Sequence, residues 1–252
     1  MRESFLSIKM NDHSFSIAVL RWLYYGWQEF LSTAHGVPMG QIRAGTTATG
    51  RRRAASKEER RRQLIKATIK CIARNGLSAT TMADVTSEAG LSLGIVNLHF
   101  ESKDKLLVET LRSVAEEYKS GWDHILAEPD SAPEHKILAL IQHDFSKVIA
   151  HRNKLAVWFA FWGEAKSRPT YQRICNDSDQ QTNASMRGLC EALITSGGYS
   201  GIDADLVATG YTALADGLWL DLLVTPRIVS REKASAVCHN YFRSFFPRHF
   251  CV

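Results

Sequence analysis

Two groups of residues in this chain have types and spacings suited to chemistry. The first lies on Trp158-Phe159-Ala160-Phe161-Trp162-Gly163-Glu164 and on Asp216-Gly217-Leu218-Trp219. Spacings of three and four place Trp158, Phe161 and Trp162 on one helical face, and Asp216 with Trp219 on another. Aromatic faces attract cations through their quadrupoles, worth ~0.5–2 kcal/mol each, and a neighbouring carboxylate adds Coulomb attraction. Together they suit a quaternary ammonium ion, with Trp158, Trp162 and Trp219 supplying ring faces and Asp216 or Glu164 the counter-charge. The same spacing also fits plain core packing, in which case Asp216 caps a helix or accepts a hydrogen bond from a neighbouring one.

The second group runs from Thr81 to Lys103 and suits a polyanion. Thr81 sets a hydroxyl at a helix N-terminus, whose free N–H groups favour an anion. Ser92, Leu93, Gly94 and Asn97 form the outward set of a short helix, and Val85, Ala89, Ile95 and Val96 brace it against the helix before. Ala83 and Gly90 are expected to keep that crossing close. His99 follows the short helix, and Lys103 opens the next, where a cation serves a phosphate better than the helix dipole it opposes. Upstream, Arg51, Arg52 and Arg53 are expected to form an arm near the same polyanion. A basic run such as Arg60–Arg62 is by itself more often a solvated face. The specificity comes from the ordered combination of caps, turn, apolar brace and basic excess.

The elements that must position these groups are helical throughout. Ser56 is expected to cap a helix carrying Leu64, Ile65, Thr68, Ile69 and Ile72, which Asn75-Gly76 ends. Thr81 and Asp84 form a capping-box pattern for a helix over Met82–Ala89, stopped by Gly90. Ser92 caps a short helix through Leu98, and Ser102 caps a long one with Leu106, Leu107, Thr110, Leu111, Val114, Tyr118, Trp122 and Ile125 on one face. After Pro129 and Pro133, a helix is marked by Ile137, Leu138, Ile141, Phe145, Val148 and Ile149. Another runs from Leu155 to Ala165, and Pro169 starts one that reaches Thr195 with a break near Asn176. Two final helices lie near Asp203–Val224 and Ser230–Phe246. No strand pattern, solenoid repeat or sustained heptad is present.

Charge divides unevenly along the 252 residues. Residues 41–105 hold 13 Lys/Arg against 6 Asp/Glu, residues 1–40 hold 3 of each, and residues 106–252 hold 15 against 17. Basicity is thus confined to one segment, as expected when one domain meets a polyanion and another does something else. Five scattered cysteines without a C-x-x-C pair favour a reducing compartment, most simply the cytoplasm. The apolar stretch at residues 14–36 is interrupted by Arg21 and Glu29, so it is too short to span a bilayer, and no membrane role is expected. It also lacks a signal-peptide pattern. Residues 1–50 read as a poorly ordered, dispensable extension, and translation starting at Met39 would preserve the informative pattern.

Residues 57–107, especially TTMADVTSEAGLSLGIVNLHFESKDKLL, resemble the DNA-binding domain of the tetracycline-repressor (TetR) family. The resemblance departs at Leu98 and His99, where many members carry aromatic residues. It implies a homodimer whose two heads meet a palindromic double-stranded operator, and a C-terminal domain that senses a small molecule. WFAFWGEAKSRPTYQRICND and ALADGLWLDLLV resemble the C-terminal half of BetI-type repressors, which control choline-to-glycine-betaine synthesis and respond to choline. The last two helices carry apolar residues beyond the needs of a small bundle: Leu206, Val207, Tyr211, Leu214, Leu218 and Leu222, then Val237, Cys238, Tyr241, Phe242 and Phe245. In the family such helices pair across the dimer axis; interior packing explains them equally well.

The expected architecture is therefore all-α, with a three-helix helix-turn-helix domain over 51–102 and a larger ligand-binding and dimerisation bundle over 103–252. The expected DNA-contacting residues are Thr81, Ser92, Leu93, Gly94, Asn97, His99 and Lys103. Those expected around the ligand are Trp158, Phe161, Trp162, Glu164, Asp216 and Trp219. No cofactor or metal is implied: phosphate-loop, dinucleotide, zinc-protease and serine-hydrolase motifs are absent. His135, His143 and His151 recur every eight residues, about 80° apart per step on a helix, which does not converge on a metal. An enzyme is the rival from another class, alongside a nonspecific DNA-packaging protein and a repressor of the same family sensing a different ligand.

Overall fold

The computed structural model describes residues 57–250 of the chain. The expectations for residues 1–50, Arg51–Arg53 and the Ser56 cap lie outside the described residues. Among those described, the elements are α1 (Lys57–Asn75), α2 (Met82–Ala89), α3 (Leu93–Phe100), α4 (Lys103–Leu126), α5 (Pro133–Asp144), α6 (Arg152–Ala165), α7 (Pro169–Gly197), α8 (Ala204–Val224) and α9 (Arg231–Phe245), with no strand.

Two apolar cores organise them. Leu64, Ile65, Ala67 and Cys71 of α1 meet Val85, Ala89, Val96, Phe100 and Leu106 in a small head. A larger core is built from α4 to α9, with Ile72 of α1 and Leu77 contributing. Neighbouring residues feed different cores: Leu106 enters the head and Leu107 the body, because consecutive helical positions point about 100° apart. Thus α1 and α4 each serve both. Arg61 also joins them, bonding Glu109 while its guanidinium sits 5.7 Å from the Phe100 ring centroid. It is not simply a solvated base.

The capping box at α2 is formed. Asp84 N donates to Thr81 Oγ1 at 3.1 Å, and the Asp84 carboxylate accepts from Thr81 N at 2.8 Å. These bonds hold the Asp84 carboxyl below its ordinary range, the hydroxyl bond from Thr81 acting most strongly. Ser102 caps α4 by accepting from Lys105 N, whereas Ser92 makes no side-chain cap bond to α3. That helix runs on to Phe100, two residues beyond the expected end at Leu98, because Phe100 is itself a head-core side chain.

Three further expectations change. The helix opening at Pro133 stops at Asp144; Ile149 is buried from the following turn, where its N–H bonds Ser146 Oγ, and Val148 is exposed. Apolar residues therefore continue past the helix end without extending it. Nothing breaks α7 at Asn176, an exposed position inside one continuous 29-residue helix. Finally, Ala83 is exposed, and a Cβ on Gly90 would meet no atom within 4 Å, so neither sets a close helix crossing. Gly90 is required by its left-handed φ of 63°, which lets it cap α2. Gly90→Ala is therefore expected to cost only the backbone term, about 1–2 kcal/mol in urea unfolding, with none of the larger loss of an overpacked core.

Candidate ligand pocket and DNA-reading head

Within the body, α4, α5, α6, α7 and α8 surround a cavity of about 30 Å³. Its aromatic wall contains Tyr118, Trp122, Trp158, Trp162, Tyr211 and Trp219. Trp158 lies 5.9 Å from Trp162 and 6.5 Å from Trp219 between ring centroids, and Tyr118 stands edge-on to Trp219 at 5.5 Å. Asp144, Asp179 and Asp216 supply three carboxylates to the same wall.

Asp144 is the wired member. It is 1% exposed, and its carboxylate accepts from Trp122 Nε1 at 2.8 Å and from the Tyr211 hydroxyl at 2.6 Å. Its backbone carbonyl accepts from Trp219 Nε1 at 2.9 Å. One residue at the end of α5 thus orients rings from α4 and α8. Burial still pushes its pKa up to about 7, against the lowering effect of those donors. The next helix over leaves space for this arrangement at Gly121, where a Cβ would fall 2.0 Å from the His143 ring.

Asp216 and Asp179 differ, since neither carboxylate has a hydrogen-bond or ion-pair partner among the described residues. Desolvation raises Asp216 to about 8, with the charges of Asp179 and Asp144 adding to it. Asp179 stands at the rim, the most solvated of the three, and is raised to about 6 by desolvation. Two acids without a cationic partner, lining the same cavity as Tyr118, Trp158, Trp162 and Trp219, are chemically matched to an organic cation.

Four of the six expected ligand residues come together here: Trp158, Trp162, Asp216 and Trp219. Phe161 does not. Its ring is fully buried against Tyr171, with centroids 4.7 Å apart, because the helix turns it into the gap between α6 and α7. Glu164 is also excluded; it accepts from Ser78 Oγ at 2.8 Å and from Arg168 Nε at 3.2 Å, where the body meets the head. Tyr118, Trp122, Asp144, Asp179 and Tyr211 were not expected at the site. Asp144 did carry a signal, since it falls three residues after Ile141 on the buried face of its helix, where a carboxylate must have partners.

In the head, Thr81, Ser92, Leu93, Gly94 and Asn97 are exposed. The Thr81 hydroxyl is engaged with Asp84. His99 is half-buried beside Phe100, and its Nδ1 is buried without a hydrogen-bond partner among the described residues, so only Nε2 is left to meet a phosphate. Lys103 Nζ donates to Ser78 O at 3.1 Å, one of the three protons that an ammonium carries. Lys103 and Glu164 therefore hold the same residue of the α1–α2 connection. No group of His, Cys, Asp and Glu able to hold a metal occurs among the described residues. Nor is any described helix long and apolar enough to cross a membrane.

Residues 64–110 match the family model for bacterial regulatory proteins of the tetR family, and residues 133–247 that for the C-terminal part of BetI-type transcriptional repressors. The HTH-type transcriptional regulator BetI of Vibrio parahaemolyticus is 31% identical over 185 residues, covering 73% of this chain and 90% of that protein. BetI 2 of Chromohalobacter salexigens is 29% identical over 195 residues, covering 76% of this chain and 91% of its own. Among solved structures, a protein described as a transcriptional regulator from Pseudomonas aeruginosa superposes with a TM-score of 0.67 at 26% identity, over 78% of this chain and 96% of that one. Another so described, from Saccharomonospora viridis and solved in complex with choline, gives 0.64 at 25% identity over 74% and 96%. The families and relatives matched are transcriptional regulators, not enzymes. The chain belongs to the TetR family of DNA-binding transcriptional regulators, with a C-terminal half of the BetI type.

Proposed function

We propose that this regulator is a choline-responsive repressor of genes for glycine-betaine synthesis, acting as a cytoplasmic homodimer on a palindromic operator. The observation that carries the ligand assignment is the pairing of two unpartnered carboxylates, Asp216 and Asp179, with the faces of Trp158, Trp162, Trp219 and Tyr118. A trimethylammonium ion cannot shed its charge by losing a proton, and it gains ~0.5–2 kcal/mol from each ring face. The choline complex of the Saccharomonospora viridis relative supports the same class of ligand.

For the DNA-bound form, Ser92, Leu93, Gly94 and Asn97 enter the major groove, while Thr81, Lys103 and His99 through Nε2 approach phosphates. Two heads spaced about 34–36 Å apart reach successive grooves of one duplex face. The dimer face is assigned to the outer side of α8, where Leu206, Ala213, Gly217 and Val224 are exposed along one line. Val207, Tyr211, Leu218, Cys238 and Phe242 are interior to the protomer, so only part of the apolar excess of α8 and α9 is left for a partner.

In this reading, choline entering the cavity shifts the helices that wall it. Two of those helices end at the head. Trp158 and Trp162 share α6 with Glu164, and Tyr118 and Trp122 share α4 with Lys103; both routes converge on Ser78. Ligand thereby favours a conformer whose heads no longer match both half-sites, to the extent that its affinities for the two conformers differ.

Calorimetry with choline and a panel of amines is the direct test, and absence of choline binding overturns the ligand assignment. Trp162→Ala is expected to weaken choline by about threefold to thirtyfold and to leave operator affinity intact. Affinity should rise with pH between about 6 and 8, because the cation favours the ionised carboxylates, and Asp216→Asn should flatten that rise. Stability without ligand moves oppositely. The folded state holds these protons more tightly than the unfolded chain, whose carboxyls titrate near 3.8, so this source of stability is complete below pH 3.8 and is lost as pH rises through about 6 to 8. Thermal melts across that range check the sign. Ser78→Ala should bring the choline affinities of free and operator-bound protein closer together, and an unchanged ratio would remove Ser78 from the route.

A further inference from the structure

The eight residues of α3 read Leu-Gly-Ile-Val-Asn-Leu-His-Phe, and two of them are large apolar side chains that the fold does not use. Leu98 is 70% exposed and Leu93 is 51% exposed. Neither belongs to the head core or the body core, although Val96 and Phe100 of the same helix are buried. At 100° per residue, Leu93, Asn97, Gly94 and Leu98 occupy one continuous arc of about 140°, and Ile95, Val96, His99 and Phe100 occupy the other side. The outward arc thus consists of two leucines, an amide and a residue without a side chain. A Cβ on Gly94 would meet only Ser92 Oγ, at 3.9 Å, so the fold does not require glycine there. Its lack of a side chain leaves the arc flat at that point.

The chemistry of this arc is selective among base pairs. It carries no Arg or Lys, the side chains that most often pair with guanine O6 and N7, and no Asp or Glu to accept from the cytosine amino group. In the major groove, the thymine 5-methyl is the apolar feature that a leucine can cover, and an amide side chain matches adenine N6 and N7 in bidentate fashion. We propose that α3 is a reader of A·T pairs, with Leu93 and Leu98 covering thymine 5-methyl groups and Asn97 hydrogen-bonded to an adenine. This rests on the assignment of α3 to the major groove and goes beyond it by naming the bases. Two exposed leucines then gain on DNA the burial that the free protein denies them.

The test uses the full chain and an operator selected by it from random duplexes, with each thymine replaced in turn by deoxyuracil, which lacks only the methyl group. Wild-type protein should lose about fourfold in affinity at one or two thymines of each half-site, the value of one buried methyl. Leu98→Ala should lose a similar factor on the natural operator and no longer distinguish thymine from uracil at its own position, while the position read by Leu93 remains sensitive. Both residues are exposed, so unchanged urea unfolding of the variant separates recognition from folding. Wild-type indifference to every replacement overturns the proposal. So does a Leu98→Ala protein that binds the operator normally but loses a concentration-dependent oligomer, which would assign the patch to a second copy of the chain. Failure to select any preferred duplex would instead sink the DNA-reading assignment itself.

Discussion

A carboxylate sealed among aromatic rings sets the geometry of the body. Asp144 cannot reach water, and an ion stripped of water costs several kcal/mol unless its lone pairs are filled. Trp122 and Tyr211 fill them, each such bond contributing ~0.5–3 kcal/mol according to the carboxyl's charge, while the backbone carbonyl of Asp144 holds Trp219. The consequence reaches beyond one hydrogen-bond network. Rings on two different helices are fixed in position and rotation, so the faces they present to the cavity are already oriented. The acid that organises the wall is thereby distinct from the two unpartnered acids of the cavity, Asp216 and Asp179.

The same body is connected to the head through helices that have two duties. Leu106 and Leu107 direct α4 into both cores at once, and its far end supplies Tyr118 and Trp122 to the cavity. The other connection, α6, carries cavity tryptophans in its middle and Glu164 at its end. Ser78 receives both, through its hydroxyl and its carbonyl. A close-packed interior does not deform continuously, so a displaced wall helix shifts as a unit and carries its terminal residue along. Glu164 therefore has a clear place in the molecule, at the junction with the head rather than beside the cavity.

The helices themselves were largely legible in the sequence, because their signals are local. Thr81 with Asp84, Gly90 and Ser102 each mark a terminus through bonds made within a few residues, and Pro133 and Pro169 do so through a fixed φ and a missing N–H that a first turn does not need. The exceptions were also local in origin. The end of α5 was misplaced because Ile149 is buried from a turn, and burial alone does not distinguish a turn from a helix. Gly90 was recognised as a helix stop, yet its second expected role in close packing required knowledge of what stands opposite, and nothing does.

The cavity was half legible for a different reason. Spacing places Trp158, Phe161 and Trp162 on a common face, but a helical face is broad, and contact with α7 takes Phe161 while Trp162 is left for the cavity. Residue order by itself determined the helical class, the basic head, the presence of paired aromatic and acidic side chains, and membership of the family. Tertiary structure alone decided that Asp144, Tyr118 and Asp179 would join Asp216 from four separate helices, and that Glu164 would not. Periodicity is encoded along one helix axis, whereas convergence depends on the crossing of several, and no single segment contains that information.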